Sequence, residues 1–367
     1  MLIALLLACT PDAPVETSNT LALATRLADK GIDEWDADHL APDWIQTVWA
    51  YGVLRLGVAT GDDRYRHYPT DWIRSHSGDV GPFVSSDSLS PSLVAASLFA
   101  DDPTLDFQNI LTEADRYLDA APRAQNGAIE HWSDAAPFGV PDQVWVDSQF
   151  MFGMYLLERF RGTGDRAYLD RFVEQYVAFS DLLRDPDDAL YRHAWDDAQG
   201  VNIPSDAVYW ARGNSWVLIS GVELLALVPA NDPAAITVRP LWQAHARAVA
   251  DAQANDGLWH TVMNEPNGDD PTNYTETSGS ALLATALARG VRLGELDDSY
   301  VPVVARAVDG VQARVVDDVV YGTSYGTVPG DYAYYVGVEQ GSDLMLGVGS
   351  VVLLLAEADG LPTEVAP

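Results

Sequence analysis

The stretch Trp145-Val-Asp-Ser-Gln-Phe-Met151 leads directly into an apolar run with helical spacing, and Trp210-Ala-Arg-Gly-Asn-Ser-Trp216 has the same layout further along the chain. In each stretch a charged residue and tryptophans stand immediately before the helical run. A carboxylate at one helix start and a guanidinium at another, both framed by indole rings, suit a pocket for an acidic sugar. The two stretches therefore predict both a helical fold and the position of a binding site at the helix starts.

The sequence predicts helix after helix along the whole chain. Apolar residues recur at intervals of three and four, and no segment shows the sustained alternation with hairpin turns that predicts paired strands. Glycine-containing breakers separate the runs. The predicted helical runs cover residues 44–58, 91–100, 112–120, 150–160, 168–183, 216–227, 234–254, 280–293, 301–315 and 343–358.

A weak internal repeat indicates how these helices are arranged. Thr60-Gly-Asp-Asp-Arg-Tyr65 and Thr163-Gly-Asp-Arg-Ala-Tyr168 each follow one helical run and precede another, and residues 293–300 form a looser copy. Glycine ends a helix, the acid caps the next one, and the tyrosine packs back. About six such helical pairs fit the length. We predict an all-α, single-domain (α/α)6 barrel over residues 20–360; an open solenoid, the alternative, would show a shorter and stricter period.

The composition limits the partners. The 367-residue chain is 48% hydrophobic, enough for a large core, and has 54 Asp and Glu against 21 Lys and Arg, for a formal net charge of −33. Such a chain repels nucleic acid and anionic membrane surfaces, so we expect neither as a partner. The acids are scattered, as on a solvated acidic surface. An anionic substrate would need a local island of positive charge.

The N-terminus suggests export. Cys9 is the only cysteine, which excludes an internal disulfide and a cysteine-based metal site. An apolar run too short to span a bilayer precedes it, and Leu6-Leu-Ala-Cys9 resembles a bacterial lipoprotein cleavage box. We predict a lipoprotein-type signal segment and tether at 1–19, with Cys9 lipidated and this anchor as the one membrane contact. The expected location is the bacterial cell envelope, periplasmic or surface, with a secreted or cytoplasmic protein as alternatives; residues 361–367 are a C-terminal tail.

Polar, aromatic-rich segments lie before several helical runs. In a ring of antiparallel helix pairs all inner helices start at the same end, so we expect Asp87, Asp147, His193 and Arg212 to converge on one mouth. Each also has a plain structural interpretation. Asp87 and Asp147 could be carboxylates that stabilise a helix N-terminus by roughly a kcal/mol, His193 could be a buried histidine with satisfied hydrogen bonds, and Arg212 could pair with an acid at the edge of the core. Glu276 is most simply a structural first-turn acid. The sequence has no zinc motif and no phosphate-binding glycine loop, and we expect neither a metal nor another cofactor.

Short strings spread along the chain after residue 19 carry a resemblance. They are Asp43-Trp44, Thr60-Gly-Asp62, Asp87-Ser-Leu-Ser-Pro91, Trp145-Val-Asp147, Leu190-Tyr-Arg-His-Ala-Trp-Asp196, Trp210-Ala-Arg-Gly-Asn-Ser-Trp216, Gly257-Leu-Trp259, Glu276-Thr-Ser-Gly-Ser-Ala281 and Asp331-Tyr-Ala-Tyr-Tyr335. Together they resemble the unsaturated uronyl hydrolases, specifically glycoside hydrolase family 105, the unsaturated rhamnogalacturonyl hydrolases, with family 88 as a more distant relative. The strings that begin at Ala211 and at Glu276 are the most specific.

The resemblance implies a fold and a set of roles. The family fold is an (α/α)6 barrel, in agreement with the helical pattern. Asp147 aligns with the general acid/base, and Asp87 aligns with the second carboxylate of the site. His193, Arg212 and Trp216 align with substrate-binding residues, and Trp216 is expected to stack on the sugar.

The resemblance also implies a reaction. Polysaccharide lyases leave a C4=C5 double bond in the uronic acid at the non-reducing end; family members protonate C4 and add water at C5, and the hemiketal opens and expels the next sugar. We predict a glycoside hydrolase that removes this 4,5-unsaturated uronic acid from oligosaccharides. Trp145 and Trp210 are expected to contact the substrate, and Arg212 to bind its carboxylate. For Asp147 we expect burial and the nearby Asp87 to outweigh the helix N-terminus and raise the pKa.

Two other functions stay open at this point. An inverting glycosidase on the same barrel would use Asp87 and Asp147 as acid and base on either side of C1. A non-catalytic, glycan-binding surface lipoprotein would use the same aromatic pocket without turnover. The pair Ser148-Gln149 departs from the residues that many relatives carry after the catalytic acid, so the neighbouring subsite differs and the natural substrate is left open.

Overall fold

The computed structural model describes residues 18–78, 80–136, 139–264 and 270–361. Within these ranges the chain is mainly helical and adds two small antiparallel sheets. Residues 1–17 of the predicted signal segment and tether, which include Cys9, and residues 362–367 of the predicted tail lie outside the described residues. No helix in the described ranges is long and apolar enough to cross a bilayer.

The elements follow one another in a regular order. The helices are α1 (Asn19–Glu34), α2 (Trp44–Thr60), α3 (Arg64–His76), α4 (Ser86–Leu89), α5 (Pro91–Asp101), α6 (Gln108–Ala120), α7 (Ser148–Thr163), α8 (Arg166–Leu183), α9 (Ala211–Leu227), α10 (Pro233–Asp251), α11 (Thr277–Leu293), α12 (Val301–Ala313), α13 (Tyr332–Gly337) and α14 (Met345–Ala358). The strands are β1 (Gln143–Trp145), β2 (Ala194–Asp196), β3 (Val201–Ile203), β4 (Val315–Val316), β5 (Val319–Ser324) and β6 (Gln340–Ser342). Each helical run predicted from apolar spacing corresponds to a helix, although the predicted runs 234–254, 301–315 and 343–358 extend two or three residues beyond the observed helices, and Val315 lies in β4.

Six helices form a closed inner ring. Helices α2, α5, α7, α9, α11 and α14 each pack on the next, and α14 packs on α2 to close the circle. These helices are enclosed by neighbours and buried on nearly all sides. They are therefore apolar around most of their circumference. Helices α1, α3, α6, α8, α10 and α12 pack outside them as hairpin partners. The predicted (α/α)6 barrel is confirmed.

The repeated turn has the predicted chemistry. Gly61, Gly164 and Gly294 each follow an inner helix and lie in the left-handed region, with φ of 68°, 70° and 72°. Glycine adopts this conformation without strain and so ends the helix. Asp165 then caps α8 by accepting from the Ala167 N–H at 3.0 Å. The turn thus reverses the chain from an inner helix to an outer one.

The sequence pattern missed several elements for local reasons. Helix α3 is polar and has Pro69 inside it, so its apolar spacing is too sparse to stand out. Helix α1 begins at Asn19, the last residue of the predicted tether, so the tether ends earlier than predicted. The strands have only two to six residues, too few to show alternation. The sheet order β1-β2-β3 nevertheless matters, because it joins the segment before α7 to the segment before α9.

The ring closes where α2 and α14 are in direct backbone contact. A Cβ added at Gly52 would lie 2.4 Å from the Gly349 carbonyl oxygen, and a Cβ added at Gly349 would lie 2.6 Å from the Trp49 Cα atom. Neither clash involves the flexible end of a side chain. The first and last inner helices therefore approach as closely as glycine allows.

Replacing Gly52 with alanine should destabilise the barrel. Alanine gains about 1 kcal/mol of helix propensity, but overpacking a rigid contact costs about 1–3 kcal/mol, and no rotamer can relieve a clash with backbone. We expect urea denaturation of Gly52→Ala to show a lower free energy of unfolding. Gly81→Ala is the control, because a Cβ there meets nothing within 4 Å. A Gly52→Ala variant as stable as the parent would show that the α2–α14 contact is not a tight seam.

Candidate active site

Two short strands bring the segments of Asp147 and His193 together. Strands β1 and β2 pair antiparallel with Trp145 opposite Ala194, and the Val146 N–H donates to the His193 carbonyl oxygen at 2.8 Å. Asp147 then stands at the N-cap of α7, and its Oδ2 lies 3.1 Å from His193 Nε2. The imidazole is fully buried and the carboxylate side chain is 14% exposed, so the pair faces little water.

A second carboxylate–imidazole pair belongs to the same cluster. Asp87 lies in the single-turn helix α4, which is tied to the segment before β1 because the Ser86 N–H donates to the His131 carbonyl oxygen at 3.0 Å. Asp87 Oδ2 lies 3.4 Å from His131 Nε2. His131 Nδ1 contacts Ser86 Oγ at 2.8 Å and Ser148 Oγ at 3.1 Å. Since Ser148 directly follows Asp147, the two pairs are connected.

Trp145 lies between the two imidazoles. Its ring stacks on His131, with 4.3 Å between centroids and 13° between planes, and meets His193 edge-on at 5.8 Å. Its indole Nε1 donates to Gln143 Oε1 at 2.8 Å, which fixes the ring. The helix starts therefore converge as predicted. They form one aromatic cluster around Trp145, with Asp87 on one side and Asp147 on the other.

Trp210 and Tyr335 enclose His193 from its other sides. The Trp210 ring stacks on the imidazole at 4.3 Å, and the Tyr335 ring lies 5.9 Å away at 26°. The Tyr335 hydroxyl oxygen is 2.8 Å from His193 Nδ1. Trp210 is 2% exposed and Tyr335 is fully buried. His193 thus has a hydrogen-bond partner at Nδ1, a carboxylate oxygen 3.1 Å from Nε2, and no contact with bulk water.

The pKa of Asp147 differs from the sequence-based expectation. Burial raises the pKa of this carboxyl, but the neighbouring His193 and then His131 lower the pKa by more than burial raises it. The pKa of Asp147 therefore lies below its usual value. The expectation of a raised pKa is wrong because it did not include these two imidazoles. Burial lowers the pKa of His193 more than Asp147 raises it. The pair in the free protein near neutral pH is therefore an ionised carboxylate and a neutral imidazole.

Arg212 is not placed to bind a substrate carboxylate directly. Its side chain is fully buried. Nη1 donates to Ser324 Oγ at 2.6 Å, and Nη2 donates to the Tyr325 carbonyl oxygen at 2.8 Å and to Thr327 Oγ1 at 3.0 Å. Only Nε has no acceptor among the described residues. The guanidinium instead holds the segment after β5, with its Cζ 4.7 Å from the centre of the Trp210 ring.

Glu276 has the structural role that its position predicts. It is the N-cap of α11 and accepts from the Ser278 and Gly279 N–H groups at 3.1 and 2.6 Å. It also accepts from the Ser324 N–H at 2.9 Å and lies 3.6 Å from Arg212 Nη1. This buried ion pair ties α9, α11 and β5 together behind the site.

Trp216 lies in the core and not at the mouth. It is fully buried and packs at a tilt against Phe150, with 4.8 Å between centroids. A ring in that position has no free face for a sugar, so the expected stacking role does not fit its placement. Of the other two tryptophans, Trp145 keeps 8% of its surface exposed and Trp210 keeps 2%. Trp145 is the better placed of the two to touch a substrate.

His131 and Tyr335 are site residues that the sequence reasoning missed. For His131 a signal existed, because Glu130-His-Trp132 puts a histidine next to a tryptophan between two helical runs, and His193-Ala-Trp195 has a similar layout. Tyr335 ends one of the matched strings but was given no role. Its contact with His193 joins positions 142 residues apart, and no local sequence pattern predicts such a contact.

The arrangement is suited to moving a proton. Each imidazole has one carboxylate at Nε2 and hydroxyl groups at Nδ1. A positioned carboxyl beside an imidazole can give a proton to a reacting atom and take one back. Within the described ranges, no group of three or more His, Cys, Asp or Glu side chains is gathered as a metal site would require.

A closed ring of six helical hairpins, with two carboxylates in one cluster at the helix starts, is the architecture of a six-hairpin glycoside hydrolase. The sequence profile of Glycosyl Hydrolase Family 88 matches residues 22–361, nearly all of the described chain. The chain belongs to glycosyl hydrolase family 88, and the resemblance carried by its sequence strings is confirmed.

Individual relatives agree with the family. The unsaturated rhamnogalacturonyl hydrolase YesR of Bacillus subtilis is 29% identical over 76% of this chain and 78% of its own. An unsaturated 3S-rhamnoglycuronyl hydrolase of Formosa agariphila is 27% identical over 75% of each chain. The fold matches a possible GH105 member from Klebsiella pneumoniae with a TM-score of 0.82 at 22% identity, over 95% of both chains. An unsaturated glucuronyl hydrolase from Bacillus sp. GL1 gives 0.71 at 15% identity, over 94% of this chain and 97% of its own.

Arg212→Lys should loosen the segment after β5. Lysine keeps the charge but loses the planar fork that reaches Ser324, Tyr325 and Thr327 together. We expect faster amide hydrogen exchange over 325–338 and a free energy of unfolding lower by about 1–3 kcal/mol, the cost of buried acceptors left without donors.

Arg192→Lys is the matched control. Arg192 also donates to loop carbonyl oxygens, those of Ser205 and Asp206 at 2.7 Å each, but at a different loop. Its substitution should speed exchange near 204–206 and leave 325–338 unchanged. Unchanged exchange over 325–338 in Arg212→Lys would mean that other contacts hold the segment.

Proposed function

We propose that this protein removes a 4,5-unsaturated uronic acid from the non-reducing end of oligosaccharides produced by polysaccharide lyases, by hydrating the C4=C5 double bond. The observation that carries the proposal is the Asp147–His193 pair beside Trp145, in a chain that belongs to family 88. A single carboxyl with a dedicated imidazole is what a reaction that begins and ends with one proton transfer needs. The names of the curated relatives support the same substrate class.

The reaction has balanced steps. Asp147 gives a proton to C4, and positive charge develops at C5, where the ring oxygen shares it. Water adds to C5 while the Asp147 carboxylate takes back a proton. The hemiketal at C5 then opens by breaking its bond to the ring oxygen, and the freed hemiacetal at C1 releases the next sugar. One water molecule is consumed, and Asp147 returns to its starting state.

Substrate binding itself loads the acid. In the free protein the pKa of Asp147 lies below its usual value, because His193 and His131 outweigh burial. The substrate brings a carboxylate and displaces water, and both changes favour the protonated form of a nearby carboxyl. Trp145 and Trp210 already exclude solvent from this region. Asp147 therefore takes up its proton when the substrate that will use it arrives.

Arg212 supports the site from behind. Its buried guanidinium lies against the Trp210 ring, and Trp210 stacks on His193. Glu276 lies 3.6 Å from the same guanidinium, so this buried ion pair brings little net charge to the site. Arg212 therefore acts through the segment that it holds, and Trp145, with 8% of its surface exposed, offers the aromatic edge.

Asp147→Asn tests the chemistry directly. We expect turnover of unsaturated disaccharides, followed as loss of the ultraviolet absorbance of the conjugated double bond, to fall by about 10²- to 10⁴-fold, the contribution of a positioned acid/base. Substrate affinity should stay within about tenfold, because asparagine keeps the shape. Saturated uronides should be inert for the parent enzyme, since they offer no double bond to protonate.

The control is Asp134→Asn, an exposed carboxylate on the same inter-helix segment as His131. It should leave turnover unchanged. Near-normal turnover in Asp147→Asn would show that another residue protonates the substrate. Cleavage of saturated uronides would favour an inverting glycosidase that uses Asp87 and Asp147, and binding without turnover in the parent would favour a glycan-binding protein.

A further inference from the structure

The two ring nitrogens of His193 have different kinds of partner. Nε2 lies 3.1 Å from Asp147 Oδ2, within ion-pair distance, but neither atom makes a hydrogen bond of good geometry among the described residues. Nδ1 lies 2.8 Å from the Tyr335 hydroxyl oxygen. A neutral imidazole carries its proton on only one nitrogen, so these two partners decide which tautomer is present.

The Tyr335 hydroxyl has its hydrogen-bonding direction set from outside. The Gly330 N–H donates to this oxygen at 3.2 Å. A backbone amide can only donate, so the hydroxyl accepts there and its own proton remains for a second partner. The acceptor within reach is His193 Nδ1. Burial raises the pKa of Tyr335, which keeps this proton on the phenol.

We propose that Tyr335 is a positioning residue: its hydroxyl donates to His193 Nδ1, fixes the Nε2–H tautomer, and thereby directs the catalytic proton to Asp147 instead of to the imidazole. The use of that proton on a substrate rests on the proposed function. The tautomer does not, since it follows from the contacts of Gly330, Tyr335, His193 and Asp147 alone.

The proposal assigns each proton of the pair. In the resting state the single imidazole proton sits on Nε2 and faces Asp147 Oδ2. A second proton has two possible sites, His193 Nδ1 and the other carboxyl oxygen, Asp147 Oδ1. With Nδ1 already accepting from Tyr335, the proton goes to Oδ1, the oxygen left for the substrate. The other groups that act electrostatically on His193 are His131 and Arg212, and both disfavour an imidazolium.

Tyr335 also connects the site to the segment that Arg212 holds. This residue lies in α13, between β5 and β6, and its ring packs parallel to Trp210 at 6.2 Å. Arg212 binds the start of the same segment at Tyr325 and Thr327. The segment must therefore lie in this position for Tyr335 to reach His193 and set its tautomer. Arg212 thus influences the proton on Asp147 without touching it.

The first test reads the tautomer without any substrate. In protein labelled with ¹⁵N-histidine, two-bond ¹H–¹⁵N correlations distinguish a protonated from an unprotonated ring nitrogen, and His193→Asn assigns the resonance. We expect the parent enzyme to show a protonated Nε2 and an unprotonated Nδ1 across neutral pH. A protonated Nδ1 in the parent, in either a neutral or a charged ring, would overturn the proposal whatever the variants do.

The second test removes the hydroxyl. In Tyr335→Phe we expect the His193 signals to show mixed tautomers or an imidazolium at higher pH. On an unsaturated galacturonyl–rhamnose disaccharide we expect kcat to fall by about tenfold to 10⁴-fold, the upper figure being the cost of a wrong tautomer in a Ser-His-Asp triad. KM should change by less than about threefold, since Tyr335 is fully buried and offers no surface to a substrate.

Tyr334→Phe is the matched control. Its hydroxyl also accepts a backbone N–H of the same segment, that of Val328 at 3.2 Å, but does not reach His193. It should keep both the parent tautomer and kcat. A Tyr335→Phe enzyme with lowered kcat but an unchanged tautomer would assign Tyr335 a merely structural role and overturn the proposal. Absence of turnover by the parent on every unsaturated uronide would reject the proposed function and leave the tautomer result standing.

Discussion

The antiparallel pairing of β1 with β2 is the constraint on which the site depends. It sets Trp145 opposite Ala194 and lets the Val146 N–H donate to the His193 carbonyl oxygen. Without that register Asp147 would be an ordinary first-turn carboxylate of α7. With it, the carboxylate faces a fully buried imidazole at 3.1 Å. The barrel brings the helix starts to one end, and the pairing of β1 with β2 then places Asp147 in contact with His193.

The electrostatics of the site follow from pairing each acid with its own histidine. Asp87 faces His131 and Asp147 faces His193, and Trp145 separates the two imidazoles. An isolated buried carboxylate would be costly, and it would take up a proton permanently. The imidazole partner keeps Asp147 ionised in the free protein. The proposed loading of this acid by its own substrate suits a reaction whose substrate is an anion.

The sequence predicted the parts of the fold that local chemistry determines. Long apolar runs located the inner helices, because a helix enclosed by neighbours is apolar on most of its sides, and the turns at Gly61 and Gly164 indicated the hairpin repeat. Of the site, the sequence predicted that Asp87, Asp147 and His193 lie close together, but it did not predict their contacts or the presence of His131 and Tyr335. The Tyr335 contact with His193 and the burial of Arg212 and Trp216 depend on distant segments, which spacing along the chain does not report.

The position of oxygen from solvent in the product tests the central claim most directly. In ¹⁸O-water, hydration initiated by Asp147 places the label at C5 of the released uronate, because water adds to C5 and the bond between C1 and the leaving oxygen breaks only later, when the hemiacetal at C1 collapses. Mass spectrometry of the product, taken before the C1 aldehyde and the C5 ketone exchange oxygen with solvent, should show the label at C5. Label found only at C1 would mean direct displacement at the glycosidic carbon and would contradict the account, even if unsaturated disaccharides were hydrolysed.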